Sequence, residues 1–429
     1  MPPRAVCHVA FLLLCFASVV VPGKSCTNVL VSAGASLDGS PLLAYNADSG
    51  SLYGSVGLFP AKTHTPNTTR EVWSWDDAVF LGTIPEAETT YNVIGNANQF
   101  GLVIGETTFG GLPELDCHDS GGVMDYGSLI WITLQRCKTC DCAITTIDDL
   151  VQTHGYASDG ESFSCVDTTS AWLMELIGKG AFEKGAVWVA TRVPEGAVLA
   201  HANQARTSTF SMNDPSNVRF AADVVDFARR IGRFPENAPD AKFDFTNAYD
   251  PLTFGGARHG ESRVWDVYRQ LVGDAAMAPY LEYAKGKDLG KRMPLFVFPT
   301  AATATKNKRK DEPSSEPDKR ETKLTVTQLI ALMRSKMENS WFDTRGLHRA
   351  DLGAGPGHSA YRARPLTWSD GDTEYANERT VSTQQTAWTF VAASRADLPA
   401  PVRAIQWWAP DDSGTSLRVP IYGGATRVP

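Results

Sequence analysis

From Asn28 the chain alternates apolar and polar positions through Ser32, then reaches Leu37-Asp38-Gly39-Ser40. Alternation with a period of two marks a half-buried strand, and Asp-Gly marks a tight turn. Pro41 to Asn46 then reads as a returning strand, so the segment predicts a β-hairpin whose first strand begins just after Cys26. Further strands are expected at Gly101 to Thr107, Ala171 to Ile177 and Ala186 to Arg192. Others fall at Thr380 to Val391, Val402 to Trp408 and Leu417 to Ile421. Helical spacing predicts helices over Leu129 to Gln135, Thr146 to His154, Arg219 to Ile231 and Arg263 to Leu271. The second of these has Thr146 as its cap and Gly155 as its stop, and Thr325 to Lys336 opens on a Thr325/Gln328 capping box. Strands at both ends with helices between argue for an α+β fold built on layered sheets.

Two segments break the pattern. Residues 303–323 are Lys, Asp, Glu, Pro and Ser with almost nothing apolar, and are read as a disordered surface insertion. The first 25 residues carry Arg4, an apolar run from Val9 to Val21, and small residues Gly23 and Ser25 just before Cys26. That is the layout of a cleaved secretory signal, and the run is shorter than the ~20 residues a membrane span needs. Export to the exterior or to a lysosome-type or vacuole lumen is expected, with no membrane attachment after cleavage. The sequon Asn67-Thr68-Thr69 agrees with export. The residues after the leader, 26–429, are expected to form one domain.

Composition narrows the chemistry. With 43% hydrophobic and 21% charged residues the chain is ordinarily globular. Its net charge of −8, about −10 once Arg4 and Lys24 leave with the leader, excludes a general nucleic-acid role. The oligomeric state is not readable. Cys7 and Cys15 also leave, and six cysteines remain. Cys137-x-x-Cys140-x-Cys142 lacks a second pair or a His at zinc spacing, so disulfide or plain structural use is expected. A Gly-x-Ser-x-Gly elbow and a His-Glu-x-x-His helix are both missing from the sequence.

Cleavage before Cys26 gives that residue a property no internal cysteine has. Its own α-amine, titrating near 7.7–8.0, would stand beside a thiol titrating near 8.5. One residue then supplies nucleophile and general base. Asp48, on the returning strand, is placed to hold the amine. On this chemistry alone Cys26 is as readily a disulfide partner and Asp48 a turn residue.

Longer blocks decide between these readings. Cys26-Thr27-Asn28, Ala35-Ser36-x-Asp38-Gly39-Ser40 and Ala44-Tyr45-Asn46-Ala47-Asp48-Ser49 open a series of such blocks. Gly101 to Gly111, Met124 to Ser128, Gly155 to Ser164, Ala200 to Arg206, Gly353 to Pro356 and Asn377 to Arg379 continue it. In this order they resemble the cysteine-nucleophile dipeptidases, related to secernins, of the N-terminal-nucleophile hydrolase superfamily. The resemblance implies a four-layer αββα sandwich and amide hydrolysis through an acyl-thioester on Cys26, with no metal or cofactor. It implies that Asp48 positions amine and sulfur and that Asn203 helps hold the nucleophile region and the oxyanion. It places a further oxyanion donor at Thr107 or Thr108, of which Thr108 is the candidate, unless a backbone N–H serves. It places a site arginine at Arg263 or Arg258. Many relatives carry Arg or Lys where this chain has Tyr45, so thiol activation here need not copy theirs. The expected substrate is a small peptide; a non-peptide N-acyl amide is the rival, and a non-catalytic secreted binding glycoprotein a further alternative.

Overall fold

In the computed structural model, which describes residues 26–49, 52–300, 323–345, 359–361, 367–371 and 373–428, the expected hairpin is present. The expected leader, all but the last residue of the polar segment 303–323, and the Gly353–Pro356 block lie outside the described residues. Strand β1 (Thr27–Val31) pairs antiparallel with β2 (Leu42–Asp48), Thr27 opposite Asn46. Gly39 in the connecting turn takes φ +74°, where a Cβ would be strained.

Eight further strands matter for the site: β3 (Val103–Gly110), β4 (Gly160–Val166), β5 (Ala171–Gly178), β6 (Ala186–Arg192), β7 (Val198–His201), β8 (Thr386–Ser394), β9 (Ala404–Pro410) and β10 (Val419–Tyr422). Six form one antiparallel sheet in the order β7-β1-β2-β8-β9-β10. The other four, β6-β5-β4-β3, are the centre of an eight-stranded antiparallel sheet with short strands at its edges. The principal helices are α1 (Tyr126–Arg136), α2 (Cys140–His154), α3 (Ser262–Val272) and α4 (Val326–Met333).

Side-chain alternation sorts the core. Leu30, Leu43, Tyr45 and Phe390 of the smaller sheet cluster with Val103, Val166 and Leu173 of the larger. Their neighbours Val29, Val31, Ala44 and Val391 point the other way, to Val264, Val267, Leu329 and Met333 of α3 and α4. On the larger sheet, Ile104, Phe163, Trp172 and Met174 pack with Leu129, Ile130, Ile147 and Leu150 of α1 and α2. Both faces of the central strands are thus covered, so β1 is buried on both sides rather than half-buried as expected from its alternation. The architecture is α+β with large antiparallel sheets, as the strand and helix pattern predicts.

Several boundaries need correction. Helix α2 starts at Cys140, not Thr146: Thr139 is its N-cap, accepting from the Cys142 N–H, and the cysteine run forms its first turn. The helix expected from Arg219 splits into a short strand Val218–Phe220 and a helix Val224–Arg230, because the strand pairs with β6. Residues 380–385 precede β8 rather than belonging to it. The Thr325/Gln328 capping box is present as expected. Among the described residues no helix is long and apolar enough to cross a membrane.

The cysteines divide as the disulfide reading requires. Cys137 pairs with Cys142 and Cys140 with Cys165, leaving Cys26 and Cys117 free. The second bridge ties α2 to β4 across 25 residues of sequence. Replacing both its cysteines by Ala should cost about 3 kcal/mol, read as a lower urea midpoint. An unchanged midpoint would show that the bridge adds nothing to the α2–β4 packing.

Candidate active site

Cys26 is the residue before β1, and its position is fixed from both ends of the molecule. Strand β1 lies inside its sheet, between β7 and β2, so neither of its edges is free. From the helical side Arg263, in the first turn of α3 and fully buried, reaches over the strand. Its Nη1 donates to the Cys26 carbonyl at 2.7 Å and to Thr27 Oγ1 at 2.8 Å. Its Nη2 donates to Asn203 Oδ1 at 2.7 Å. A π-helical turn, Gly256–Glu261, runs straight into α3 and sets this angle. Gly260 permits the close approach: a Cβ there would stand 2.5 Å from the Ala202 carbonyl. Burial lowers the Arg263 pKa to about 10, which leaves it a cation at neutral pH.

Asn203 sits at φ +55°, a left-handed conformation that Asn tolerates better than most residues. There its Oδ1 meets Arg263 while its Nδ2 donates to the Thr108 carbonyl at 2.6 Å. It therefore links Arg263, which holds the Cys26 carbonyl, to β3. The hydroxyl of Thr108 donates to Glu161 Oε2 at 3.0 Å, and that of Thr107 bonds His201 Nδ1 at 2.8 Å. Neither hydroxyl is aimed at Cys26 by these bonds. Arg258 pairs instead with Glu378 and lies over Trp341, so of the two candidate arginines Arg263 is the one at Cys26.

Asp48, at the end of β2, is fully buried. Its Oδ1 accepts from Thr386 Oγ1 at 2.6 Å, whereas Oδ2 has no hydrogen-bond partner among the described residues. Burial raises its pKa to about 7, against the pull of Arg379, the Thr386 hydrogen bond and Arg263. Burial likewise pushes the Cys26 thiol well above its usual value, with Glu106 and Asp48 adding to the effect. At neutral pH the resting sulfur is therefore a thiol, and a base must remove its proton before it can attack.

Sequence reasoning missed Glu106. It sits in β3, and Cys26 Sγ donates to its Oε1 at 3.4 Å. The same oxygen accepts from the Tyr45 hydroxyl, whose ring packs edge-on against Trp388 and Phe390. The signal was an acidic residue inside the apolar run Leu102 to Thr107. Tyr45 and Glu106 thus form a hydroxyl-to-carboxyl pair beside the sulfur. Arg379 is a second omission: it lines the same cleft as Arg263 and acts on Asp48.

A cleft of about 370 Å³ opens beside this cluster, lined by Phe109, Asn203, His259, Arg263 and Arg379 among others. It can take a ligand of a few residues. A larger cleft of about 680 Å³ lies elsewhere, around Cys117, Gly155 and Phe182, and holds none of the candidate site residues.

The profile of peptidase family C69 matches residues 25–429. A probable dipeptidase of Salmonella dublin is 24% identical over 64% of this chain and 63% of its own length. Dipeptidase A of Lactobacillus helveticus is 24% identical over 59% of this chain and 55% of its own. A dipeptidase of Bifidobacterium longum is 23% identical over 94% of this chain and 72% of its own. The chain thus spans less than two thirds of the first two relatives.

Proposed function

We propose, from the premise that the chain belongs to peptidase family C69, that it is an exported or lysosome-type dipeptidase whose nucleophile is Cys26 made N-terminal by removal of a leader. The observation that carries this reading is the pairing of a free, buried Cys26 with the vacant Oδ2 of Asp48, both set by β1 and β2. A newly released α-ammonium is the group that would complete Asp48. Family membership and the three dipeptidase relatives support the substrate class. Helices on the outer face of each sheet support the four-layer αββα sandwich.

In this mechanism the neutral α-amine of Cys26 takes the thiol proton and the thiolate attacks the substrate carbonyl. The tetrahedral intermediate collapses to a thioester as the leaving amine receives that proton. Water, deprotonated by the same amine, then releases the acid and restores the thiol. Arg263 fixes the Cys26 carbonyl, which holds the residue that carries both sulfur and amine. Asn203 fixes the cleft wall through Thr108. The Thr108 hydroxyl must turn from Glu161 to serve an oxyanion.

The protein recovered after export should begin at Cys26 by mass spectrometry and hydrolyse unblocked dipeptides. Its kcat/KM should rise with pH through about 7 to 8.5, where the α-amine becomes neutral and can act as base. A first residue other than Cys26, or a flat profile between about pH 5 and 9, would overturn the mechanism.

A further inference from the structure

The two sides of Cys26 differ in charge. The cleft side carries the cations Arg263 and Arg379, beside a His259 that burial holds neutral at pH 7. The opposite side is acidic. Glu106 is buried; its Oε1 accepts hydrogen bonds from Cys26 and Tyr45, and its Oε2 has no hydrogen-bond partner among the described residues. Glu161, also buried, holds the Thr108 hydroxyl at 3.0 Å. Tyr126, bonded to Asp76 at 2.8 Å, lies within the field of both carboxylates. No ion pair to Glu106 is formed among the described residues. A buried carboxylate without a counter-ion is costly, and in a site it is what a cationic ligand group would neutralise.

Bond geometry says which ligand group can reach it. In an α-amino acyl substrate the α-nitrogen lies about 2.5 Å from the carbonyl carbon. When that carbon approaches the sulfur to roughly 3–3.5 Å, the nitrogen falls beside the sulfur as well. An acceptor 3.4 Å from Sγ comes within hydrogen-bond range of that nitrogen when the substrate binds with its amine on the Glu106 side of the sulfur. Tyr45, locked between Trp388 and Phe390, holds Glu106 in place through its hydroxyl.

We infer that Glu106 is the anchor for the free α-ammonium group of the substrate, and that the opposite, cationic side of the cleft receives the C-terminal carboxylate. The inference rests on the reading of Cys26 as nucleophile and deepens it: the substrate is a zwitterion bound at both ends, so a blocked amine is rejected. Tyr45 is then a positioning residue for Glu106 rather than a substitute for the relatives' cation.

The test compares Ala-Ala with propanoyl-Ala, which lacks only the α-ammonium, on the mature protein. Wild type should favour Ala-Ala by about 100-fold or more in kcat/KM, and Glu106→Gln should bring that ratio close to one, chiefly by raising KM for Ala-Ala. A burst of p-nitrophenol from p-nitrophenyl propanoate, an ester with no amine, reports the nucleophile separately. In wild type, alaninamide should suppress that burst at a concentration about 100-fold lower than propanamide does, a measurement that does not depend on the variant folding. An unchanged ratio in Glu106→Gln, or equal suppression by the two amides, overturns the inference. Equal loss on both substrates also overturns it, because Glu106 would then serve the enzyme's own amine while the dipeptidase reading stands. Wild type with neither burst nor peptide hydrolysis removes the nucleophile reading and this inference together.

Discussion

Cys26→Ala should lower kcat/KM for a dipeptide by a factor on the order of 10⁴ to 10⁶, the range seen when a covalent nucleophile is deleted. The same loss is expected from a smaller change, one extra Gly left ahead of Cys26. The sulfur is then intact, but its neighbouring nitrogen becomes an amide with no basic lone pair. Burial and the nearby carboxylates hold the thiol protonated at neutral pH, so without that base little thiolate forms. Comparing the two proteins separates sulfur from amine: an extended chain that kept full activity would mean that another group deprotonates Cys26. Steady-state hydrolysis of Ala-Ala measures both.

The second large effect concerns Asp48, and its sign is opposite for activity and stability. In the chain extended ahead of Cys26 no ammonium stands beside Oδ2, and the folded-state pKa is about 7. An unfolded Asp titrates near 3.9. Between these values the folded chain holds a proton that the unfolded chain has released, so stability falls as pH rises from about 4 to 7. By that linkage the penalty above pH 7 is about 4 kcal/mol. Asp48→Asn should therefore raise the thermal midpoint of the extended chain at pH 8, and this advantage should fade as pH falls toward 4. In the mature enzyme the α-ammonium offsets the charge, so the gain should shrink, while hydrolysis drops about 10³-fold. Scanning calorimetry of the four proteins across pH 4–8 decides it. A destabilised Asp48→Asn at pH 8 in the extended chain would show that Arg379 and Arg263 already compensate the carboxylate.

The sequence carried the hairpin, both termini's strands and the α4 cap because each is written in neighbouring residues. Asp38-Gly39 needs only a turn, and Thr325 with Gln328 only one helical end. The start of α2 was obscured because cysteines that look like a ligand cluster fill its first turn, and the pairing with Cys165 depends on a strand far along the chain. Cys26 and Asp48 share one hairpin, but local chemistry left them open to a disulfide and a turn reading, and only the longer blocks of resemblance singled them out. Choosing Arg263 over Arg258 required the π-helical turn, because only the phase of α3 decides which guanidinium reaches β1. Glu106 became visible only when the larger sheet was laid against the smaller one, since no local spacing links it to Tyr45.

Arg263 and the flanking strands hold Cys26 through its carbonyl and through the β-ladder that follows it, none of which involves the bond ahead of it. Breaking that bond removes no hydrogen bond that positions the sulfur. On the proposed mechanism the precursor would be a zymogen whose latency is chemical rather than conformational: the same pocket would be silent or active according to whether one nitrogen is acylated. Maturation would need no refolding, and a new chain end, ordinarily the most frayed part of a protein, would be born already clamped.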